Sequence, residues 1–310
     1  MTTTTGAAPP APPRPHKQRA REVLTALPWL LPAIILIVGV VLFPAGYMAW
    51  TSFRDISPVG VDHGPAGLDN YVRLFAFPGI GRVLLNSLIW VFGVVSVTLV
   101  ISLGLAQFLD KAFPGRRFVR LAVIVPWAAS VVMTAIVFYY GLDPFYGIMN
   151  QALVDIGILD SGFGFTRRPL PAFIVSMAVA VFVSLPFTTY TILAGLQMVP
   201  GELVEAAWMD GANAFRTYRS VILPIIRPAI GVAVLINIIN VFNSLPILRT
   251  LTGSIPGHSA DTTTTLIFKF IQQHRQVDTA SALSVVNFLI VLVVIGIYLY
   301  TLKPMRQADQ

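Results

Sequence analysis

Six stretches of this sequence contain no Asp, Glu, Lys, Arg or His: 28–50, 83–109, 121–142, 170–195, 228–248 and 279–302. Each reaches the roughly 20 apolar residues that a helix needs to cross about 30 Å of hydrocarbon. In such a medium every backbone N–H and C=O must be satisfied within the chain, so segments of this length and composition are read as helices. Aromatic residues that favour the interface, among them Trp29, Trp50, Tyr139, Tyr140 and Tyr300, lie toward the ends of several stretches. Only 11% of the residues are charged and the mean hydropathy is +0.76, against about 25% charge in an ordinary soluble domain. The expected fold class is therefore an all-α membrane protein with six transmembrane helices. Residues 28–302 form the spanning domain, and 303–310 form a short tail. Residues 1–27, rich in Thr, Ala and Pro, are read as a disordered tail. The run from Pro28 to Trp50 is too long for the core of a cleaved signal and is read as a retained helix.

The connections divide by charge. Segments 1–27, 110–120, 196–227 and 303–310 together carry 13 Lys and Arg against six acids. Segments 51–82, 143–169 and 249–278 carry eight of each. The whole formal charge of +7 thus falls on one side, which the positive-inside rule makes cytoplasmic, together with both termini. Topology accounts for the basic balance, and no basic stripe with interleaved aromatics points to a nucleic acid. The chain has no cysteine, which excludes thiolate metal sites and disulfides. His16, His63, His258 and His274 lack ligand spacing and read as solvated loop residues. There is no Gly-Lys pair and hence no P-loop, so the chain cannot bind nucleotide in that way. The missing intramembrane charge argues against proton coupling, although neutral oxygens can still bind sodium.

The longest polar interruption with charge of both signs is Glu205–Pro228, E-A-A-W-M-D-G-A-N-A-F-R-T-Y-R-S-V-I-L-P-I-I-R-P. Pro200-Gly201 signals a helix start, and Glu202 and Glu205 suit its positive end. Gly211 fits the left-handed residue that stops such a helix. Ala212 to Ser220 can form a second helix at an angle, with Pro224 and Pro228 limiting its continuation. From the residues alone this is either a pair of short helices in an L or an amphipathic segment lying at the lipid interface. The string resembles the E-A-A loop of binding-protein-dependent ABC importers, with Glu205, Ala206, Ala207, Asp210, Gly211, Ala212, Leu223 and Pro224 at the matching positions. In that family the loop is a coupling helix that docks in a groove of the ATPase subunit.

Polar residues inside the helices mark a candidate pathway. Asn237, Asn240 and Asn243 recur every third residue, which predicts one slowly drifting stripe on the fifth helix. Such a stripe serves either as interhelical hydrogen bonding or as a path for solute. Ser184 stands beside Pro186, which predicts a kink in the fourth helix. Trp127 follows Pro126 in the third and is either an anchoring Trp or a surface for a sugar ring. The fifth helix also resembles that of maltose-type permeases, which implies that Asn240 and Asn243 face the translocated sugar and that Trp127 lies near it. The segment Leu251–Gly257, L-T-G-S-I-P-G, resembles the L-T-G-G-G-P of carbohydrate importers, with Ser254 and Ile255 in place of glycines. Amides and an indole suit a neutral polyol, whereas an anion would call for Arg or Lys inside the helices, where none stands.

The resemblance implies a type I ABC importer permease fold with a cytoplasmic coupling helix in the loop 196–227, in a bacterial cell membrane. It implies a permease subunit for a sugar, a disaccharide or oligosaccharide. The implied partners are a second permease subunit, two ATPase subunits and an external solute-binding protein, besides membrane lipid. No catalysis and no cofactor are expected in this chain, since ATP and Mg would be bound by the ATPase. The alternatives are an ABC permease for another solute class and a stand-alone secondary carrier.

Overall fold

The computed structural model describes residues 28–253 and 255–306. The tail read at 1–27 and the last four residues lie outside them. The chain divides into two units, 1–50 and 51–310. The first contributes the helix α1, Pro28–Thr51, in which Tyr47 stacks near Phe43 and Trp50. Its stretch Ile37–Leu42 is wound as a π-helix, and the Phe43 N–H donates to the Val38 carbonyl. The next residue is Pro44, whose ring would clash with a carbonyl four residues back in a regular helix. The wider π turn shifts that carbonyl away.

The second unit begins with a hairpin of two antiparallel strands, β1 (Arg54–Ile56) and β2 (Asp62–Pro65). Arg54 closes it with a bidentate pair to Asp62, Nη2 to Oδ2 at 2.7 Å. That hydrogen bond and the Gly64 N–H hold the Asp62 carboxyl below its ordinary pKa of 3.8. Helices follow in chain order: α2 (Asp69–Phe75), α3 (Ile80–Asp110), α4 (Arg116–Ala128), α5 (Val131–Gly141), α6 (Ile148–Asp155), α7 (Pro169–Leu196) and α8 (Gly201–Met209). Then come α9 (Ala214–Phe242), α10 (Leu245–Thr252), α11 (Thr263–Gln272) and α12 (Val277–Arg306). Among the described residues five helices are long and apolar enough to span a membrane, or six if α4 and α5 form one broken span.

The main core lies between α3, α7, α9 and α10. Trp90, Val94, Val179, Ile238, Val241 and Leu251 meet there almost without exposure. A second cluster, Leu109, Ile192, Leu196 and Ile226, packs the ends of α3, α7 and α9 beside the 196–227 loop. A third, Leu74, Val83, Phe270 and Leu283, joins α2 and α11 to α3 and α12. Most remaining apolar side chains point outward, as expected where the surroundings are hydrocarbon rather than water.

Three expectations are corrected. The third uncharged stretch does not run straight, because Ala129 and Ser130 adopt extended backbone and turn α5 by 95° against α4. Pro126 removes a donor from the last turn of α4, and Ser130 starts α5 afresh by accepting from both Thr134 N–H and Thr134 Oγ1. The fifth stretch ends as a helix at Phe242 rather than 248, for the reason given below. Conversely, Pro224 and Pro228 do not stop the second short helix, which continues as α9 through both. The π turn Tyr218–Ile222 precedes Pro224, with Leu223 N–H donating to the Tyr218 carbonyl, the device seen before Pro44. Helix α7 likewise runs unbroken through Pro186.

Candidate functional site

Three places in the fold carry polar groups that packing alone does not absorb. The first is the loop 196–227. Helix α8 starts at Gly201, just after Pro200, with Glu202 in its first turn. It ends in a Schellman turn: Gly211 N–H donates to the Trp208 carbonyl and Ala212 N–H to the Ala207 carbonyl, each at 3.0 Å. Gly211 has φ 76°, a conformation that side chains resist but that this hydrogen-bond pattern requires. The chain then turns into α9, whose start is capped by Asn213 Oδ1 accepting from Arg216 N–H at 2.9 Å. Glu205, Ala206 and Asp210 are exposed, Ala207 and Ala212 half-buried, and Leu223 and Pro224 half-buried where the loop meets the bundle. Trp208, Phe215 and Met209 are exposed on the same loop, Met209 to 89%. The loop thus presents an acidic, small-residue helix flanked by large apolar side chains that nothing in this chain covers.

The second place is the end of α9. A helix here would need Pro246 to donate to the Phe242 carbonyl, and proline has no N–H. The helix stops, and its last carbonyls are satisfied from elsewhere. Trp90 Nε1 donates to Val241 at 2.8 Å, Thr264 Oγ1 to Phe242 at 3.1 Å, and Asn243 Nδ2 to Ile239 at 2.9 Å. A helix broken at this depth requires such replacements. The asparagine stripe therefore divides. Asn237 is 3% exposed and donates to Thr188 Oγ1 at 3.4 Å, between α9 and α7. Its Oδ1 meets no donor among the described residues. Asn240 and Asn243 are exposed, with Asn243 at the helix cap. Trp127 is 65% exposed, one residue before the end of α4. Ser184 is half-buried, and its carbonyl accepts from Thr188 Oγ1 at 3.0 Å. Thr188 thus links Ser184 and Asn237, while Asn240, Asn243 and Trp127 remain open to whatever lies beside this chain.

The third place was not legible in the sequence. Asp261, 3% exposed, accepts from Lys269 Nζ at 2.8 Å and pairs with His258 Nδ1 at 2.8 Å. His258 is therefore not a solvated loop histidine. Lys269 also donates to the Gly257 carbonyl, and Asn86 donates to the carbonyls of Ser259 and Asp261. Together they fasten the segment after α10 to α3 and α11. At the start of α12, Arg73 Nη2 meets the buried Asp278 Oδ2 at 3.1 Å. Among the described residues no cluster of His, Asp and Glu could hold a metal ion.

Residues 98–304 match the protein family described as binding-protein-dependent transport system inner membrane component. A probable ABC transporter permease protein of Brucella suis biovar 1 is 31% identical over 270 residues, 87% of this chain and 93% of that protein. The trehalose/maltose transport system permease protein MalF of Thermococcus litoralis is 28% identical over 284 residues, 91% of this chain and 95% of that one. Among solved structures, a chain of a bacterial alginate ABC transporter in complex with an alginate pentasaccharide-bound periplasmic protein superposes with a TM-score of 0.79. It has 21% identity, over 94% of this chain and 98% of the other.

Proposed function

Because this chain belongs to the family of binding-protein-dependent transport system inner membrane components, we propose that it is the membrane-spanning permease subunit of an ATP-driven importer of a sugar. The sugar is a disaccharide or oligosaccharide, handed over by an external solute-binding protein. The single observation that carries this reading is the 196–227 loop. There the E-A-A string is folded into a short helix closed by a left-handed Gly211, beside exposed Trp208 and Met209, in a chain without a P-loop. A transporter lacking its own engine needs such a surface for one. Kinship over 91% of the chain with a trehalose/maltose permease supports the sugar.

In this reading the loop is cytoplasmic and docks on an ATPase subunit, which binds ATP and Mg and performs the hydrolysis. Glu205 and Asp210 face it, Ala206 and Ala207 let it approach, Gly211 and Ala212 set the turn, and Leu223 and Pro224 root the loop in α9. A second permease subunit faces Asn240, Asn243 and Trp127 across the pathway. The amides exchange hydrogen bonds with hydroxyls in both directions, and the indole packs on the apolar face of a sugar ring. Asn237 and Ser184 hold the wall behind them through Thr188.

The test is reconstitution. The chain is co-expressed with a partner permease, ATPase and binding protein encoded beside it, and placed in liposomes. Uptake of a labelled disaccharide, neutral or uronic-acid-containing, should then require ATP and binding protein. Uptake by this chain alone, driven by an ion gradient, would replace the reading with a secondary carrier.

A further inference from the structure

No Arg or Lys lies within the uncharged stretches. The first cation after the fifth of them is Arg249, exposed and outside every candidate span, yet carried on a helix. Arg249 lies within α10, the short helix that follows the break at Asn243–Ser244, not in the loop that the sequence suggests. Its guanidinium carbon sits 3.9 Å over the ring of Phe268 on α11. The stacking fixes the planar group and leaves its edge N–H donors free, and no carboxylate among the described residues is paired with it.

Arg249 and Phe268 line a cavity of about 170 Å³ together with Lys269, Asp261, Thr252 and Gln272. A second cavity, about 290 Å³, shares Gly253, Lys269 and Gln273 with the first. Lys269 and Asp261 neutralise each other at 2.8 Å, so the lining keeps one uncompensated positive charge, that of Arg249. Gly253, which lines both cavities, lets the chain leave α10 tightly: a Cβ there would lie 2.3 Å from the Arg249 carbonyl oxygen. The cavity stands at the far end of α9 from the 196–227 loop. In the importer reading, that is the side on which solute arrives.

We propose that this pocket binds the anionic group of an acidic saccharide, a carboxylate, sulfonate or phosphate ester, with the Arg249 fork meeting two of its oxygens and Gln272 and Thr252 meeting neighbouring hydroxyls. Arg249 is thereby a specificity-determining residue at the entrance to the pathway. The proposal rests on the importer reading for its biological sense, but the binding itself belongs to this chain.

The experiment uses the assembled transporter in nanodiscs without binding protein, titrated with sodium glucuronate and with glucose and followed by saturation-transfer NMR. Wild type should prefer glucuronate. Arg249→Gln should weaken glucuronate at least tenfold, Arg249→Lys should retain most of the preference, and glucose should respond equally in all three. Equal binding of both sugars by wild type, unchanged glucuronate affinity in Arg249→Gln, or equal loss in both variants would overturn the proposal. A parallel titration of the same nanodiscs with binding protein adds a further overturning result: loss only of affinity for the binding protein, which would assign Arg249 to a protein carboxylate. Failure of the importer reading shows separately, as a chain that assembles with no ATPase.

Discussion

Replacing Gly211 by Val tests the docking surface through one backbone angle. At φ 76° an L-residue with a branched Cβ is strained by about 1–3 kcal/mol. An added Cβ would meet no atom within 4 Å, so crowding adds nothing, and the cost is conformational. A penalty of about 2 kcal/mol lowers the ratio of the Schellman turn to open alternatives roughly thirtyfold, since about 1.4 kcal/mol is a factor of ten. A partner that recognises only the closed turn loses affinity by up to that factor. The loop meets this core cluster at its two roots, Leu196 and Val199 at one end and Ile222, Leu223 and Ile226 at the other, and Gly211 is not part of it, so insertion and folding should be unaffected. Asn tolerates the left-handed region, so Gly211→Asn should keep nearly wild-type affinity. The assay measures ATPase-subunit binding to purified permease in nanodiscs, with the melting temperature recorded in parallel. Full ATPase affinity in Gly211→Val would refute the link between this turn and docking. Equal loss in Val and Asn would show that the side chain, not the angle, is at fault.

Other expectations follow from the same contacts. Asn240→Ala and Asn243→Ala should reduce sugar uptake with little change in melting temperature, each costing about 0.5–1.5 kcal/mol of solute interaction. Asn237→Ala should instead lower stability, by roughly 0.6 kcal/mol, and a melting loss in the first pair would reverse the assignment. Trp90→Phe removes one of two donors to the buried Val241 carbonyl, the other being the Ser244 N–H at 3.2 Å, and should destabilise the protein by about 0.5–1.5 kcal/mol, measurable by thermal unfolding; an unchanged midpoint would mean that the Ser244 N–H alone satisfies the carbonyl. The lowered Asp62 pKa, caused first by Arg54, stabilises the hairpin above the ordinary value of 3.8. That contribution is lost as pH falls through the lower folded value, so amide exchange in 54–65 should quicken only below that range, and Asp62→Asn should abolish the dependence. Single cysteines at Ser220 and Ser259 should react with an impermeant reagent in intact cells at 259 and not at 220; the converse would invert the topology.

What could be read ahead of the structure was what depends on near neighbours. Gly211 announced its turn because only Gly adopts that angle cheaply, and long uncharged runs announced helices because hydrocarbon allows little else. The break after Phe242 was written in Pro246, but the uncharged run hid it. The Phe242 carbonyl that Pro246 orphans is taken by Thr264, and the Val241 carbonyl beside it accepts from Trp90 as well as from the Ser244 N–H; no local pattern reveals that either side chain stands there. The bend at Ala129–Ser130 has the same character. The pairing of Asp261 with Lys269 and the holding of Ser259 by Asn86 join residues up to 173 positions apart. Spacing cannot show them, so His258 read as solvated and Arg249 as a loop residue.

Near the 196–227 loop, α7 and α9 meet almost without side chains between them. A Cβ on Gly195 would stand 2.6 Å from that of Ala229. Two helices touching so closely cannot tilt independently at that point, because neither has a side chain to yield. At this end α7 and α9 are held as one piece, and the short helix between them, α8, is joined to both. A displacement of α8 is therefore passed to both helices at once rather than being absorbed by one of them. Adding a methyl at 195 would force the two apart at the root of the loop, at a distance from every residue proposed to touch solute or partner.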